Sequence, residues 1–353
     1  MALPSVIEDS LVFTLDDPDR SMVRVSLHCD DAVPGHRRFR RTATGWLLSI
    51  PRPDLNRLEY RLVVTNRSGD SKVVCDPESP ERVPTPFGAR SVAVMPGYER
   101  PGWLRVEAEA GTMTKHIVED GVEIVGDIPI TVWSPPGLLA DQEAHLLVVH
   151  DGPEYVELAQ LDQYASVLVA SGAVPPFRMA LMHPVERDAW YAANVSYVEA
   201  ELAALDRLAA EVPVVGEMVV MGASLGGLTA LLVALAARPR FGGVLSQSGS
   251  FFSTDLDPQE SSYPQFSRVT EAVQAVVTGS APDVPLQVVM TCGRLEENFA
   301  NNDAMASALT ELGHLVAFTA VPDLHNFTAW RDALDPALTE VLRSVWSGSR
   351  MKE

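Results

Sequence analysis

A serine between glycines, a later carboxylate and a still later histidine are the residues of this chain best suited to acyl-transfer chemistry. Ser224 lies in Gly222-Ala223-Ser224-Leu225-Gly226. The apolar run Val219-Val220-Met221 precedes it, and the alanine- and leucine-rich stretch from Leu228 to Ala237 follows. This order reads as a strand, a tight turn and a helix, which push the serine to an exposed tip on strained backbone. Gly222 and Gly226 leave room for the helix to pack back on the strand. Leu225 opens the helix, so its N–H is a candidate oxyanion donor, aided by the helix dipole.

A serine hydroxyl is a weak nucleophile until a base takes its proton, and the base needs a carboxylate to orient it. On such a sheet the chain order is serine, acid, histidine. His325, in Asp323-Leu324-His325-Asn326-Phe327, follows the last expected strand and is the candidate base. The competing histidines fit less well. His28 and His36 fall among N-terminal strands, His116 in an expected hairpin, and His145 and His314 ahead of strands. His150 and His183 end strands but precede the serine. Glu296, in Cys292-Gly293-Arg294-Leu295-Glu296, sits where a loop would turn back towards the histidine. Glu297 and Asp303 stay open as alternatives. A second oxyanion donor is expected from His150-Asp151-Gly152-Pro153. Pro153 has no N–H, which leaves Gly152 or Glu154, and glycine permits the closer approach.

The elements that position these residues divide the chain in two. Val12–Leu15, Met22–Leu27, Gly45–Ile50 and Tyr60–Thr65 read as short strands between turn signals, predicting a small β-sandwich over residues 1–105. Pro96-Gly97 and Pro101-Gly102 mark the exit. Residues 106–353 alternate strands and helices. A hairpin around Glu119-Asp120-Gly121 is followed by buried strands at Leu146–His150, Met179–Met182, Val219–Met221, Gly243–Ser246, Leu286–Thr291 and Val316–Ala320. Helices are predicted at Tyr155–Ala170, Tyr197–Ala210, Leu228–Ala237, Ala304–Leu312 and Pro336–Trp346. Continuous apolar strands alternating with helices predict an α/β fold, a mostly parallel sheet covered on both faces. Ligands bind such sheets beyond the carboxyl ends of the strands, where His150, Ser224, Gly293 and Asp323 all fall.

The formal charge of −20 argues against nucleic acid and anionic membrane surfaces as partners. The three cysteines, Cys29, Cys75 and Cys292, are widely spaced, without metal-site spacing, and suit a reducing compartment. A Cys29–Cys75 bridge stays open. Met1–Val12 lacks the apolar core of a signal peptide, and no stretch is long enough to span a bilayer. The expectation is a cytoplasmic enzyme with no metal and no cofactor, acting on a small-molecule ester; its oligomeric state is open.

These motifs together resemble the enterochelin esterase family, in the esterase D-like group of α/β-hydrolases. The resemblance runs over nearly the whole chain. It is most specific from Gly222-Ala223-Ser224-Leu225-Gly226-Gly227-Leu228 through Phe241-Gly242-Gly243-Val244-Leu245-Ser246-Gln247-Ser248-Gly249-Ser250-Phe251. Gly293-Arg294-Leu295-Glu296 is similar to the family's Gly-x-x-Glu, and His325 with Trp330-Arg331 to its closing His and Trp-Arg. The resemblance implies an α/β-hydrolase preceded by an Ig-like sandwich, Glu296 as the acid, and hydrolysis of catecholate trilactone siderophores with release of iron in the cell. The chain departs from the family pattern at Asp323-Leu324-His325-Asn326-Phe327, where Gly-Gly-His-Asp-Trp is frequent, and at Arg187-Asp188-Ala189-Trp190, where Arg-x-x-Glu is frequent. A ferric catecholate is anionic, so local arginines must overcome the acidic surface. Arg187, Arg294 and Arg331 are candidates for its charge. Trp190, Tyr191 and Phe327 are candidates for its rings, and Asp151 is set on the substrate side. Trp330 reads as core. Two other functions fit the same chain: acyl transfer or hydrolysis of another small-molecule ester, and a binding module on a degenerate hydrolase fold.

Overall fold

A computed structural model describes residues 4–118 and 126–347. The chain forms two compact units. One is the N-terminal stretch to Glu99 together with Arg294–Glu296 and Pro322–Asn326. The other is Arg100–Gly293, Glu297–Val321 and the chain from Phe327 onward.

The first unit is all β. Its strands are β1 (Ser5–Ile7), β2 (Ser10–Asp16), β3 (Met22–His28), β4 (Arg40–Arg41), β5 (Gly45–Pro51), β6 (Arg57–Asn66), β7 (Ser71–Val74), β8 (Arg82–Val83) and β9 (Arg90–Val94). One sheet runs β1-β2-β5-β4, the other β3-β6-β9-β8 with β7 beside β6. Alternation decides the core. Leu11, Phe13 and Leu15 of β2, Trp46, Leu48 and Ile50 of β5, Val25 and Leu27 of β3, and Leu58, Tyr60 and Leu62 of β6 are buried in one cluster. β6 begins at Arg57, ahead of the expected Tyr60. The sequence reading did not anticipate β1, β4, β7, β8 and β9, which are too short to show a periodicity.

The second unit holds an eight-stranded sheet. Its strands are β10 (Thr112–Val118), β11 (Ile128–Ser134), β12 (His145–Val149), β13 (Phe177–Met182), β14 (Met218–Ala223), β15 (Phe241–Gln247), β16 (Gln287–Gly293) and β17 (Leu315–Val321). The order is β10-β11-β13-β12-β14-β15-β16-β17. β10 pairs antiparallel with β11 as a hairpin, and β11 antiparallel with β13. The remaining pairs are parallel. The expected turn at Glu119-Asp120-Gly121 lies outside the described residues.

The helices are α1 (Gly152–Ala159), α2 (Leu161–Ala170), α3 (Arg187–Tyr191), α4 (Val195–Glu211), α5 (Leu225–Ala236), α6 (Phe266–Val277), α7 (Phe299–Glu311), α8 (Phe327–Asp332) and α9 (Leu334–Trp346). Leu147, Val149, Val219, Met221 and Leu245 face a core shared with α1, α2 and α9. Leu146, Val148, Val220 and Val244 face the opposite core, shared with α4, α5, α6 and α7. This is the α/β-hydrolase architecture, preceded by a small β-sandwich. The helix expected over Tyr155–Ala170 is two helices, broken at Gln160 with φ 53°. Ala159 and Leu161 are both fully buried, and a continuous helix would set them about 200° apart. The break lets both face the sheet. α6 was not anticipated, although Val269 and Val273, one turn apart and buried, carry its signal.

Candidate active site

Every residue of β14 is buried, and the chain leaves it at Ser224 with φ 57° and ψ −126°. That backbone is strained for a residue with a Cβ. It holds the half-buried Ser224 as the cap of α5, whose first N–H, on Leu225, has no acceptor inside the helix. The glycines are steric requirements: a Cβ on Gly222 would stand 2.4 Å from the Gly226 carbonyl oxygen, and one on Gly227 2.6 Å from Ser246 Oγ.

The loop after β15 supplies a neighbour that motif reading missed. Ser250 N–H donates to the Ser224 carbonyl at 3.0 Å, and the two hydroxyl oxygens lie 3.3 Å apart. Buried polar side chains fix this loop. Gly249 N–H donates to Asn302 Oδ1 at 3.0 Å, and Asn302 Nδ2 donates back to Gly249 O at 2.8 Å. Trp330 Nε1 donates to Ser248 Oγ at 3.0 Å, which accounts for an indole otherwise packed in the core. Ser248-Gly249-Ser250 carries no spacing that announces this role.

The loop after β12 is organised by buried polar contacts. His150 Nε2 and Glu201 Oε2 are 2.9 Å apart, with both side chains wholly buried. Asp151 takes φ 52° and accepts from Arg187 twice, Nε to Oδ1 and Nη2 to Oδ2, each at 2.7 Å. Burial works against the Arg187 charge, but the Asp151 carboxylate outweighs it and holds the guanidinium above its ordinary range. The Arg187 side chain is still 37% exposed. Asp151 is itself buried, and its two carboxylate oxygens are both engaged by Arg187. Gly152 opens α1, and a Cβ there would meet Leu181 Cα at 2.5 Å. Burial pushes the Glu154 carboxyl up.

Trp190 is 5% exposed and stacks on Tyr197 with ring centroids 5.0 Å apart. Tyr191 is likewise fully buried. Phe327 is only half-buried, edge-on to Tyr155 at 5.5 Å and to Trp330 at 4.8 Å. Arg331 pairs with Asp332 at 2.8 Å.

In the first unit, His325 Nδ1 and Glu296 Oε2 are 2.7 Å apart. The Glu296 side chain is 1% exposed and that of His325 32%. A carboxylate only accepts, so Nδ1 carries the proton and Nε2 is the basic nitrogen. Glu297 and Asp303 are exposed, Asp303 on α7. Cys29, Cys75 and Cys292 are unbridged. Among the described residues, no group of His, Cys, Asp or Glu could hold a metal ion, and no helix is long and apolar enough to cross a membrane.

The Esterase family model matches residues 122–341, more than half of the chain. The chain belongs to this family. Within the esterases, it is 30% identical over 223 residues to the iron(III) enterobactin esterase of Dickeya dadantii (strain 3937), a match covering 58% of this chain and 49% of that protein. The chain thus spans about half the length of the curated relative it matches. Its fold is similar to the crystal structure of ferric enterobactin esterase from Salmonella typhimurium, with TM-score 0.77, 23% identity, and 95% of this chain and 93% of that one covered. It is also similar to the Shigella flexneri enterobactin esterase solved in the presence of enterobactin, with TM-score 0.75, 21% identity, and 98% and 95% covered.

Proposed function

We propose that this protein is a serine esterase that cleaves carboxylic ester or lactone bonds through an acyl-enzyme. The observation that carries the reading is the strained backbone at Ser224, which presents its hydroxyl between β14 and α5. β14, β16 and β17 run parallel in one sheet, and in sequence Ser224, Glu296 and His325 each follow within a few residues of the carboxyl end of one of them, which supports the reading. In this reading Ser224 Oγ attacks the acyl carbon as His325 Nε2 takes its proton, and Glu296 holds the imidazole in the required tautomer. The N–H groups of Leu225 and Gly152 bind the oxyanion. The imidazolium then protonates the departing alcohol, and water, activated by the same histidine, releases the acid and restores Ser224.

The substrate class is a catecholate siderophore, in its ferric form, or a related aryl ester. The name of the Dickeya relative supports this, as do Arg187, partly exposed in the same unit as Ser224, and Phe327, a half-buried ring. The protein acts in the cytoplasm, which suits its unbridged cysteines. Residues 1–105 are an Ig-like domain and residues 106–353 the hydrolase domain in this reading. The test is Ser224→Ala. Hydrolysis of p-nitrophenyl esters falls by at least about 10³-fold, with an unchanged thermal unfolding midpoint. Wild-type turnover in that variant rules the mechanism out. Competition between trilactone siderophores, with and without iron, and simple aryl esters then assigns the substrate.

A further inference from the structure

The unit that contains the N-terminal sandwich also contains the short segments carrying Glu296 and His325. One stretch of the sandwich, Asp54 to Arg57 at the entry to β6, grips both. Asn56 N–H donates to Pro322 O at 2.7 Å. Arg57 Nη2 donates to Asp323 Oδ2 at 2.5 Å, and both side chains are 3% exposed. The guanidinium also lies over the Tyr98 ring, 4.9 Å from its centroid. Leu324 is buried in the sandwich core, and Leu295 packs against that same core. On the surface, Arg294 reaches Asp54 at 3.5 Å. The residues just before His325, and those just before Glu296, are therefore fastened to the sandwich.

A buried ion pair is a poor way to add stability, because both charges must leave water and a pair of apolar side chains would fill the space at less cost. Its best-attested use is to enforce one geometry. Asp323 is suited to that use. It sits two residues before His325, and its other carboxylate oxygen accepts the Leu324 N–H at 3.3 Å. We infer that Arg57 is a positioning residue for the base: through Asp323 it sets the path of the loop and so aims the His325 imidazole while Glu296 holds its Nδ1. This inference rests on the serine-esterase reading above and gives the N-terminal sandwich a part in catalysis.

The test uses the full chain with Arg57→Met and Arg57→Lys, assayed on a p-nitrophenyl ester. The folded fraction is measured by near-ultraviolet circular dichroism at the assay temperature. Arg57→Met lowers kcat per folded molecule on the order of 10²-fold, the loss that follows when a reacting group is misplaced by about 1 Å. KM stays near the wild-type value, and labelling of Ser224 by a fluorophosphonate slows in parallel with kcat. Arg57→Lys, which keeps the buried positive charge, recovers most of the loss. A lowered melting temperature with wild-type kcat and labelling rate would overturn the inference, since that is what a purely structural pair predicts. Should Arg57→Met not fold, the double variant Arg57→Met/Asp323→Leu leaves no buried charge. It is expected to fold with low kcat, and wild-type kcat in it overturns the inference. Ser224→Ala separates the two levels. Activity in that variant defeats the esterase reading, whereas an inactive Ser224→Ala beside fully active Arg57 variants defeats only the positioning role.

Discussion

At the scale of single residues, the most informative contact is the one between Glu296 and His325. A carboxylate held 1% exposed, 2.7 Å from an imidazole nitrogen, fixes both the tautomer and the direction of the ring. Glu296→Gln keeps the shape and removes the charge. Its amide can donate a proton to Nδ1 and so favour the wrong tautomer. The expected result is a fall in kcat on the order of 10⁴-fold, while Glu297→Gln at the exposed neighbouring position leaves kcat unchanged. A reversed ranking in steady-state kinetics would move the acid to Glu297. The place of Glu296 just past a strand end was legible because that spacing is local information. The burial of Trp190 was not, because whether an aromatic faces a core or a cleft depends on elements elsewhere in the chain.

At the scale of elements, the turn from β14 to α5 depends on backbone approaching backbone. The Cβ that alanine would add at Gly222 meets a carbonyl oxygen at 2.4 Å, not the movable end of a side chain. Gly222→Ala is therefore expected to destabilise the protein by about 1–3 kcal/mol, with activity lost through displacement of Ser224. Gly226→Ala meets the Asp151 carboxylate at 3.1 Å and is milder. Urea denaturation of the two variants checks the order, and equal midpoints would contradict it. The strand–turn–helix was readable because it needs only a local apolar run, small residues and a helix-forming stretch. The break at Gln160 was not readable from its own residues. It follows from the demand that Ala159 and Leu161 both reach one sheet face.

At the scale of the whole molecule, the charge of −20 gives the protein a long-range field that opposes anionic esters. Salt screens that field over about 8–10 Å at ordinary ionic strength. For an anionic aryl ester, kcat/KM is expected to rise as salt is added from low ionic strength, whereas for a neutral ester of the same leaving group it stays level. A fall with salt for the anionic ester would mean that local cations such as Arg187 dominate its approach.

The chain by itself determined the two-part architecture, the alternation of strands and helices, and the strand ends after which Ser224, Glu296 and His325 fall. Each of these is written in local periodicity and turn chemistry, which a few neighbouring residues specify. Tertiary structure alone decided which polar groups became partners. It joined Arg57 to Asp323, 266 residues apart, set Ser250 beside Ser224, committed Asp151 to Arg187 and turned Trp190 into the core. The physical reason is that an ion pair or a buried hydrogen bond depends on distance in space and on exclusion of water, and neither is encoded in the spacing of residues along the chain. The serine elbow was visible as a pattern, whereas the side chains that fasten the loops of Glu296 and His325 became visible only in the folded protein.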